Sequence, residues 1–137
     1  MACNDWSLQQ MDINNAYLNA FLQELVYMRP PPGFTMSQTK VCLLHKCLYG
    51  LKQSGREWYK CLSGMFYDFG FTCLTADMAV FYKHSDDKHV IIAAAIDDLT
   101  IAANSDEAIE ELKQQLKYKF KMKDLGNLTW LLNIEIK

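Results

Sequence analysis

Two adjacent carboxylates stand directly after the most apolar part of the chain. Asp97 and Asp98 follow the run Val90–Ile96, which is typical of a strand buried on both faces. Asp12 lies between two apolar neighbours at the end of another expected strand. If the two strands lie side by side, Asp12 and Asp97 meet at one end of a sheet.

Carboxylates that converge in this way repel one another and favour a divalent cation. Oxygen ligands suit Mg²⁺, which keeps several waters and takes further ligands from substrate phosphates. Two such ions, about 3.5–4 Å apart, stabilise the attacking and leaving oxygens of phosphoryl transfer. A structural interpretation stays open as well. Asp97 and Asp98 would then be ordinary residues of a hairpin turn, and Asp12 would cap a helix, a role for which Asn14 competes.

The overall composition is that of a folded domain. The chain has 137 residues, of which 50% are hydrophobic and 22% charged, so we expect one domain spanning residues 1–137. The formal net charge of −2 excludes a generally basic nucleic-acid coat protein. No apolar run approaches the roughly 20 residues that a bilayer requires, so we expect no membrane contact. The N-terminal segment lacks the pattern of a secretory signal.

Five cysteines without a secretory signal indicate reduced thiols in an intracellular protein, either cytoplasmic or nuclear. Cys42, His45 and Cys47 lie close together and would suggest zinc, but a structural zinc site takes four ligands, usually as two short pairs. Cys61 and Cys73 do not form a second pair. Buried small side chains are therefore the favoured interpretation, with a zinc module as the alternative.

Helices and strands are expected where apolar residues recur at the corresponding period. The prolines before Gly33 can neither continue a helix nor pair within a sheet, so they mark a turn. Asn104 is expected to cap the last helix, with Glu107 returning the hydrogen bond. The expected elements are strands at Trp6–Ile13, Lys40–Leu44, Ala79–Lys83, His89–Ile96, Leu99–Ala103 and Trp130–Ile136, and helices at Asn14–Leu25, Arg56–Phe69 and Asn104–Phe120.

This order of elements predicts an α+β fold. Strands alternate with helices except at one hairpin, whose tip carries Asp97 and Asp98. Such an order favours a mostly antiparallel sheet with helices packed on one face. The split βαβ arrangement of ferredoxin-like proteins is the nearest common template.

Several sequence blocks carry a more specific signal. They are Gln10–Asn19, Val26–Phe34, Leu48–Gln53 followed by Trp58-Tyr59, Asp97-Asp98 and Phe120–Gly126. In this order and spacing, the blocks resemble the copia-type retrotransposon reverse transcriptases over nearly the whole chain. The resemblance implies the palm of a right-hand polymerase that copies RNA into DNA.

The same resemblance implies a set of metal-binding residues. Asp12, Asp97 and Asp98 would be the palm carboxylates, and Asp12 and Asp97 are expected to contact the metal directly. Ile13 would offer its backbone carbonyl to the second ion. The implied cofactor is a pair of Mg²⁺ ions, for which Mn²⁺ can substitute.

The resemblance also implies the substrates and the residues that contact them. The partners of a complete enzyme would be an RNA or DNA template–primer and deoxynucleoside triphosphates. Tyr17 would lie under the incoming sugar and exclude a 2′-hydroxyl, and Gln53 would contact the incoming nucleotide and the template. One lysine within Lys119–Lys123, for which we take Lys121, would lie near the triphosphate. A group of lysines in this region also supplies local positive charge in a net acidic chain: Lys113, Lys117, Lys119, Lys121 and Lys123. For most of them, a solvated helix end is the alternative interpretation.

Three positions depart from the pattern of the family that the blocks resemble. Ala95 stands where a tyrosine is typical, Gly55 replaces a proline, and Asn133 replaces a glycine. The fingers, thumb and RNase H parts of such an enzyme would lie outside this chain, so we expect little polymerase activity from it alone. The alternative function is therefore a non-catalytic retroelement remnant, or an interaction module, that keeps only the fold.

Overall fold

The computed structural model describes residues 6–30, 32–33, 40–127, 130–131 and 134–135. The chain divides into two compact units, one formed by residues 1–15 and 63–137 (the sheet unit) and the other by residues 16–62 (the hairpin unit). The described strands are β1 (Ser7–Ile13), β2 (Phe21–Met28), β3 (Cys42–Lys46), β4 (Thr72–Cys73), β5 (Val80–Ser85), β6 (Lys88–Ala94), β7 (Asp98–Ala103), β8 (Met122–Asn127), β9 (Trp130–Leu131) and β10 (Ile134–Glu135); the described helices are α1 (Ser54–Asp68) and α2 (Asp106–Lys119), with a 3-10 turn at Ala16–Asn19.

In the described part of the sheet unit, six strands form an antiparallel sheet in the order β4-β5-β6-β7-β1-β8. Within it, β6-β7-β1-β8 has the strand order of a split βαβ arrangement, because β1 lies between the strand that precedes α2 and the strand that follows it. The predicted α+β fold with a mostly antiparallel sheet is therefore confirmed.

The core of the sheet unit lies on the face that carries the helices. Ile92 and Ile101 are fully buried partners on β6 and β7, and Phe81 pairs with Ile92 from β5. Phe66, at the C-terminal end of α1, packs on Phe81 with ring centroids 4.9 Å apart. Helix α2 packs against β6 and β7 with its apolar stripe, which includes the buried Leu112. Each such side chain contributes roughly 1.5–3 kcal/mol by leaving water.

Helix α2 begins one residue later than the sequence predicts. Ser105 is the N-cap, and its hydroxyl oxygen accepts a hydrogen bond from the Ala108 backbone N–H at 3.3 Å. Asn104 instead joins the loop to the β5–β6 hairpin, because its side chain accepts from the N–H of His89 and donates to the carbonyl of Asp87. The prediction of Asn104 as the cap was therefore wrong, since its amide has these partners outside the helix.

The hairpin unit differs from the prediction at its start. The expected helix at Asn14–Leu25 is wrong, because the chain turns at Asn15 with φ of +49°. It then forms the 3-10 turn and enters β2, which pairs with β3. The Cys47 N–H donates to the carbonyl of Ala20 at 3.0 Å, so that hydrogen bonds between distant parts of the sequence support the strand. The strand predicted at Lys40–Leu44 is confirmed with a shift of two residues at each end.

The C-terminal part of the chain contains a strand that the sequence pattern did not indicate. Strand β8 pairs with β1 across a bulge, where the register shifts between Gln10 and Met11. Gly126 adopts φ of +73° within β8. The single strand predicted at Trp130–Ile136 was wrong, because the described residues of this segment form two short strands, β9 and β10, that pair antiparallel with each other. Pro31, Phe34 and Asn133 lie outside the described residues.

Candidate active site

Asp12 and Asp98 are partners across the antiparallel pair of β1 and β7. Side chains at paired positions project to the same face, with Cβ atoms about 4.5–5.5 Å apart. Met11, Ile13 and Leu99 are buried beside them, and side chains alternate along a strand. Asp12 and Asp98 therefore lie on the face of the sheet opposite to the helices.

Asp97 completes the carboxylate group at the tip of the β6–β7 hairpin. The Ile13 backbone N–H donates to the Asp97 carbonyl at 2.6 Å, which fixes the end of β1 against this turn. The Ala95 N–H donates to the Asp98 carbonyl at 2.9 Å and closes the hairpin. Asp12 and Asp98, from two distant parts of the sequence, thus lie side by side at one end of the sheet, and Asp97 lies in the adjoining turn. The side chain of Ile13 is buried, so only its backbone can serve a ligand.

The proximity of these groups changes the proton affinity of Asp98. Partial desolvation raises the pKa of the Asp98 carboxyl above its usual 3.8, although the side chain keeps an exposed side. The negative charges of Asp12 and Asp97 and a hydrogen bond with the Asp12 side chain raise the pKa further. Each cause acts against the ionised form, because a second negative charge in a partly dry site is unfavourable.

The donor set fits a hard divalent cation in its chemistry. All side-chain donors are carboxylate oxygens, which Mg²⁺ prefers. Desolvation is the main cause that raises the pKa of Asp98, and a cation would relieve the repulsion by Asp12 and Asp97 that adds to it. In residues 6–30, 32–33 and 40–127, however, no three His, Cys, Asp or Glu side chains are gathered closely enough to hold a metal ion. The site is therefore the pair Asp12 and Asp98 with a third carboxylate in the adjoining turn.

A lysine lies beside the carboxylates on β8. Lys123 is the partner of Asp12 across β1 and β8, so its side chain projects to the same face as Asp12 and Asp98. Lys121, the residue that we predicted, is exposed and precedes the strand, and its carbonyl accepts from the Asn14 N–H at 2.9 Å. The register thus places Lys123 directly next to Asp12 and Lys121 beyond the end of the pairing.

Tyr17 belongs to the hairpin unit, in the 3-10 turn. Its ring packs on Tyr49 with centroids 4.5 Å apart and planes tilted by 39°. Its hydroxyl lies 3.8 Å from the position that a Cβ would take at Gly55, which is ordinary van der Waals contact. The side chain of Tyr17 is therefore held in place within this unit, and a larger residue at position 55 has room beside it.

Gln53 also belongs to the hairpin unit, immediately before α1. Its carbonyl accepts from the Glu57 N–H at 3.0 Å, in the first turn of the helix. Its side chain lines a recess of about 380 Å³ together with Lys52, Arg56 and Glu24. Arg56 and Glu24 approach within 3.5 Å, so a guanidinium and a carboxylate form an exposed ion pair in this recess.

The cysteines of the hairpin unit are free thiols. Cys42 and His45 lie at alternating positions of β3, so their side chains project to opposite faces of the strand. Cys47 is buried, and this burial is the main cause that raises the pKa of its thiol. This arrangement disfavours a shared zinc ion at these three residues and is typical of thiols used as small core side chains.

Sequence reasoning missed the role of Lys113. We expected the lysines of this region to supply local positive charge, with a solvated helix end as the alternative, but only 3% of the Lys113 side chain is exposed. Its ammonium lies 2.9 Å from Asp124. The signal was present, because Lys113 stands four residues after Ile109 and three before Leu116, on the buried stripe of α2.

Comparison with known protein families identifies the family to which the chain belongs. Residues 1–137 match the family model described as reverse transcriptase (RNA-dependent DNA polymerase). The chain belongs to this reverse transcriptase family. The resemblance to the copia-type retrotransposon enzymes is thereby confirmed.

The similar curated proteins are transposon polyproteins. The chain is 35% identical to the Retrovirus-related Pol polyprotein from transposon RE1 of Arabidopsis thaliana, over 96% of this chain and 9% of that protein. It is 34% identical to the polyprotein from transposon TNT 1-94 of Nicotiana tabacum, over 96% of this chain and 10% of that protein. It is also 35% identical to the Transposon Ty1-DR4 Gag-Pol polyprotein of Saccharomyces cerevisiae, over 90% of this chain and 8% of that protein. The chain thus spans about a tenth of the length of these relatives.

None of the described helices is long and apolar enough to cross a membrane.

Proposed function

We propose that this chain forms the palm of an RNA-directed DNA polymerase, in which Asp12, Asp97 and Asp98 hold two divalent cations for nucleotidyl transfer. The observation that carries the proposal is the pairing of Asp12 with Asp98 across β1 and β7, next to the turn that contains Asp97. Family membership supports the reaction class. The raised pKa of Asp98, caused by desolvation and by the negative charges of Asp12 and Asp97, supports a site that a cation would stabilise.

The proposed mechanism assigns separate tasks to the residues of the sheet unit. When bound, the two Mg²⁺ ions, or Mn²⁺ in their place, would lower the pKa of a primer hydroxyl and neutralise charge on the leaving pyrophosphate. Asp12 and Asp98 present carboxylate oxygens from neighbouring strands, and Ile13 presents only backbone. Lys123 places a positive charge on the same face, where phosphate oxygens would be attracted to it.

The proposed substrates are a template–primer and deoxynucleoside triphosphates. By the family resemblance, Tyr17 excludes a 2′-hydroxyl from the incoming sugar, and its packing on Tyr49 supports a rigid role of this kind. Gln53 contacts the incoming nucleotide, and the neighbouring Lys52 and Arg56 give its recess a positive character suited to phosphate. Lys121 remains the lysine predicted from the sequence, whereas the register favours Lys123 as the group nearest Asp12.

The first test measures Mn²⁺ binding by paramagnetic broadening of backbone NMR signals. We expect broadening centred on residues 12, 13, 97 and 98, and loss of most of it in Asp12→Asn, because a ligand oxygen is then neutral. Asp87→Asn is the matched control, since Asp87 is an exposed carboxylate at the tip of the β5–β6 hairpin. Broadening centred elsewhere, or retained in Asp12→Asn, would overturn the proposal.

The second test is primer extension on an RNA template with Mg²⁺ or Mn²⁺. Any extension by the chain, or by the chain with the flanking parts of such an enzyme supplied, should be abolished by Asp97→Asn and retained in Asp87→Asn. Activity that survives Asp97→Asn would contradict the metal role.

The alternative is a module that keeps the fold without the chemistry. Ala95 favours it, because a small exposed side chain stands where the family resemblance leads us to expect a tyrosine near the primer end. Lack of extension in the presence of the flanking parts, together with restored extension in Ala95→Tyr, would locate the loss at this residue. Lack of extension in both, with no Mn²⁺ binding, would establish the alternative.

A further inference from the structure

An ion pair between a buried lysine and a partly exposed aspartate lies directly behind the candidate active site, on the helix face of the sheet. Asp124 of β8 is the partner of Met11, and Lys123 is the partner of the next residue, Asp12. Since side chains alternate along β8, Asp124 projects towards α2, while Lys123 projects to the face of the carboxylates. On α2, Lys113 meets Asp124 with its ammonium 2.9 Å from Oδ2.

The Lys113 ammonium contacts both strands at this point. It donates to the side-chain carbonyl of Gln9 on β1 as well as to Asp124 on β8, and Glu110 lies 3.7 Å away on its own helix. A lysine with 3% exposure requires such partners, because a buried unpaired charge is costly. One charged group therefore ties α2 to the two strands that carry Asp12 and Lys123.

Asp124 also holds the bulge that sets the register of β8. Its Oδ1 accepts a hydrogen bond from the Gly126 N–H at 2.9 Å, while its Oδ2 accepts one from the Lys113 ammonium. Gly126 has φ of +73°, and Leu125 is the additional residue between the two pairings Gln10–Gly126 and Met11–Asp124. The two hydrogen bonds, above all the one from Lys113, hold the pKa of Asp124 below its usual 3.8 and so keep the carboxylate ionised.

We propose that Lys113 is a positioning residue that holds the bulged strand β8 in register with β1 and thereby keeps Lys123 beside Asp12 on the opposite face of the sheet. Because the side-chain period of a strand is two, a shift of one residue would turn Lys123 towards the helices and Asp124 towards the carboxylates. The role of Lys113 in the β1–β8 register is argued only from the contacts described above. Its consequence for the metal site rests on the proposed function.

The register is tested by NMR on the full chain, through cross-strand nuclear Overhauser effects. In Lys113→Met, we expect the contacts of Met11 with Asp124 and of Asp12 with Lys123 to disappear or to move by one residue. The contact of Asp12 with Asp98 should remain, because β1–β7 pairing does not involve Lys113. Lys88→Met is the control, since Lys88 also joins a strand to α2, through an exposed pair with Glu107.

A second variant keeps the test decisive if Lys113→Met does not fold. Asp124→Asn retains the shape of the side chain but removes the ion pair. Because the Asp124 side chain is one-third exposed, we expect this variant to fold more readily than Lys113→Met. We expect the same shift of the β1–β8 contacts, in part of the molecules. Unchanged contacts in every folded variant would overturn the proposal.

The consequence for the metal site is tested by a double-mutant cycle on Mn²⁺ affinity. In the wild-type background, Lys123→Met should raise the affinity by roughly threefold to tenfold, because a positive charge next to Asp12 opposes a cation. In the Lys113→Met background, the gain should fall below about twofold, since Lys123 has left Asp12. A purely structural role of Lys113 would lower stability and leave the gain unchanged.

The outcomes separate this proposal from the proposed function. If the wild-type chain binds no Mn²⁺ while the β1–β8 contacts shift in the variants, the metal function fails and the positioning role stands. If Mn²⁺ binds and the gain from Lys123→Met is the same in both backgrounds, the metal function stands and Lys113 does not position Lys123.

Discussion

At the scale of the residue, Asp98 is held in surroundings that oppose its own charge. Its folded pKa is raised, so the protonated form contributes stability below the unfolded pKa near 3.8, and this contribution is lost as the pH rises through the folded value. Asp98→Asn should therefore raise the free energy of unfolding at pH 7 and give no gain at pH 3. Urea denaturation in metal-free buffer at a series of pH values measures the difference.

The control for this prediction is Asp87→Asn, whose free energy of unfolding should follow the wild-type pH profile. A constant difference between Asp98→Asn and the wild type at all pH values would contradict the electrostatic explanation, because only a titrating group gives a pH-dependent difference.

Asp124 has a pKa shift of the opposite sign. Its folded pKa is lowered by Lys113 and by the Gly126 N–H, so its stabilising effect is present above pH 3.8 and is lost as the pH falls through the folded value. Asp124→Asn should cost about 1.5 kcal/mol at neutral pH, the lower end of the range for a hydrogen bond to a charged group, because the Asp124 side chain is one-third exposed and solvent screens the pair. The gap between variant and wild type should close in acid, as measured by denaturation at pH 2–7. A gap that persists at pH 2 would refute this.

The residues of the site differ in how far the sequence could reveal them. Asp97 and Asp98 stand out because they follow a continuous apolar run. The expected neighbour of Asp12 was Asp97, but the register pairs Asp12 with Asp98 and leaves Asp97 in the adjoining turn. The contacts of Lys113 with Gln9 and Asp124 were not predicted, although the position of Lys113 on the apolar stripe of α2 was visible in the sequence. Lysine is usually solvated, and only the partners on two other strands show why this one is buried.

At the scale of the element, two glycines differ in backbone conformation. We therefore expect substitution by alanine to have opposite effects on stability at the two positions. Gly64 lies within α1, where an added Cβ meets nothing within 4 Å. Gly64→Ala should raise the free energy of unfolding by about 1 kcal/mol, because alanine is the better helix former. Gly126→Ala should lower it by about 1–2 kcal/mol, because φ of +73° disfavours a Cβ. Chemical denaturation of both variants measures the two changes in the free energy of unfolding. Changes of the same sign would contradict the assigned conformations.

Elements were predictable where local pattern and pairing agree, and were mistaken where they conflict. Helix α1 and the β6–β7 hairpin have apolar residues at the correct periods, and the prediction was close for both. In Asn14–Leu25 the helical spacing was misleading, since the turn at Asn15 and pairing with β3 impose a strand. Strand β8 escaped prediction because its bulge at Leu125 breaks the alternation that marks a strand.

At the scale of the whole molecule, the two units differ in how much apolar surface their strands bury. In β7, Leu99, Ile101 and Ala103 are fully buried, whereas neither β2 nor β3 contains a fully buried residue. Since slow hydrogen exchange follows burial, amides of β6 and β7 should be the best protected, and those of β2 should exchange faster. Amide exchange followed by NMR measures this order.

Ile101→Ala tests the same ranking. The substitution should cost about 2–4 kcal/mol through lost burial and the resulting cavity. Protection should fall throughout the sheet unit, because Ile101 contacts the strands on both sides through its pairings. If hydrogen-exchange protection in the hairpin unit falls by the same amount as in the sheet unit, the whole chain unfolds in one step instead.

The direct pairing of Asp12 with Asp98 also constrains which coding changes this protein can tolerate. Gain or loss of one codon within Ser7–Met11 would leave the reading frame intact, but it would slip β1 by one residue and turn Asp12 into the apolar layer under the helices. A two-codon change would keep Asp12 on its own face and move it along the strand by about 7 Å. We therefore expect length variation in related genes to avoid this strand and to be more frequent in the turn at Asn14 and Asn15 that follows it.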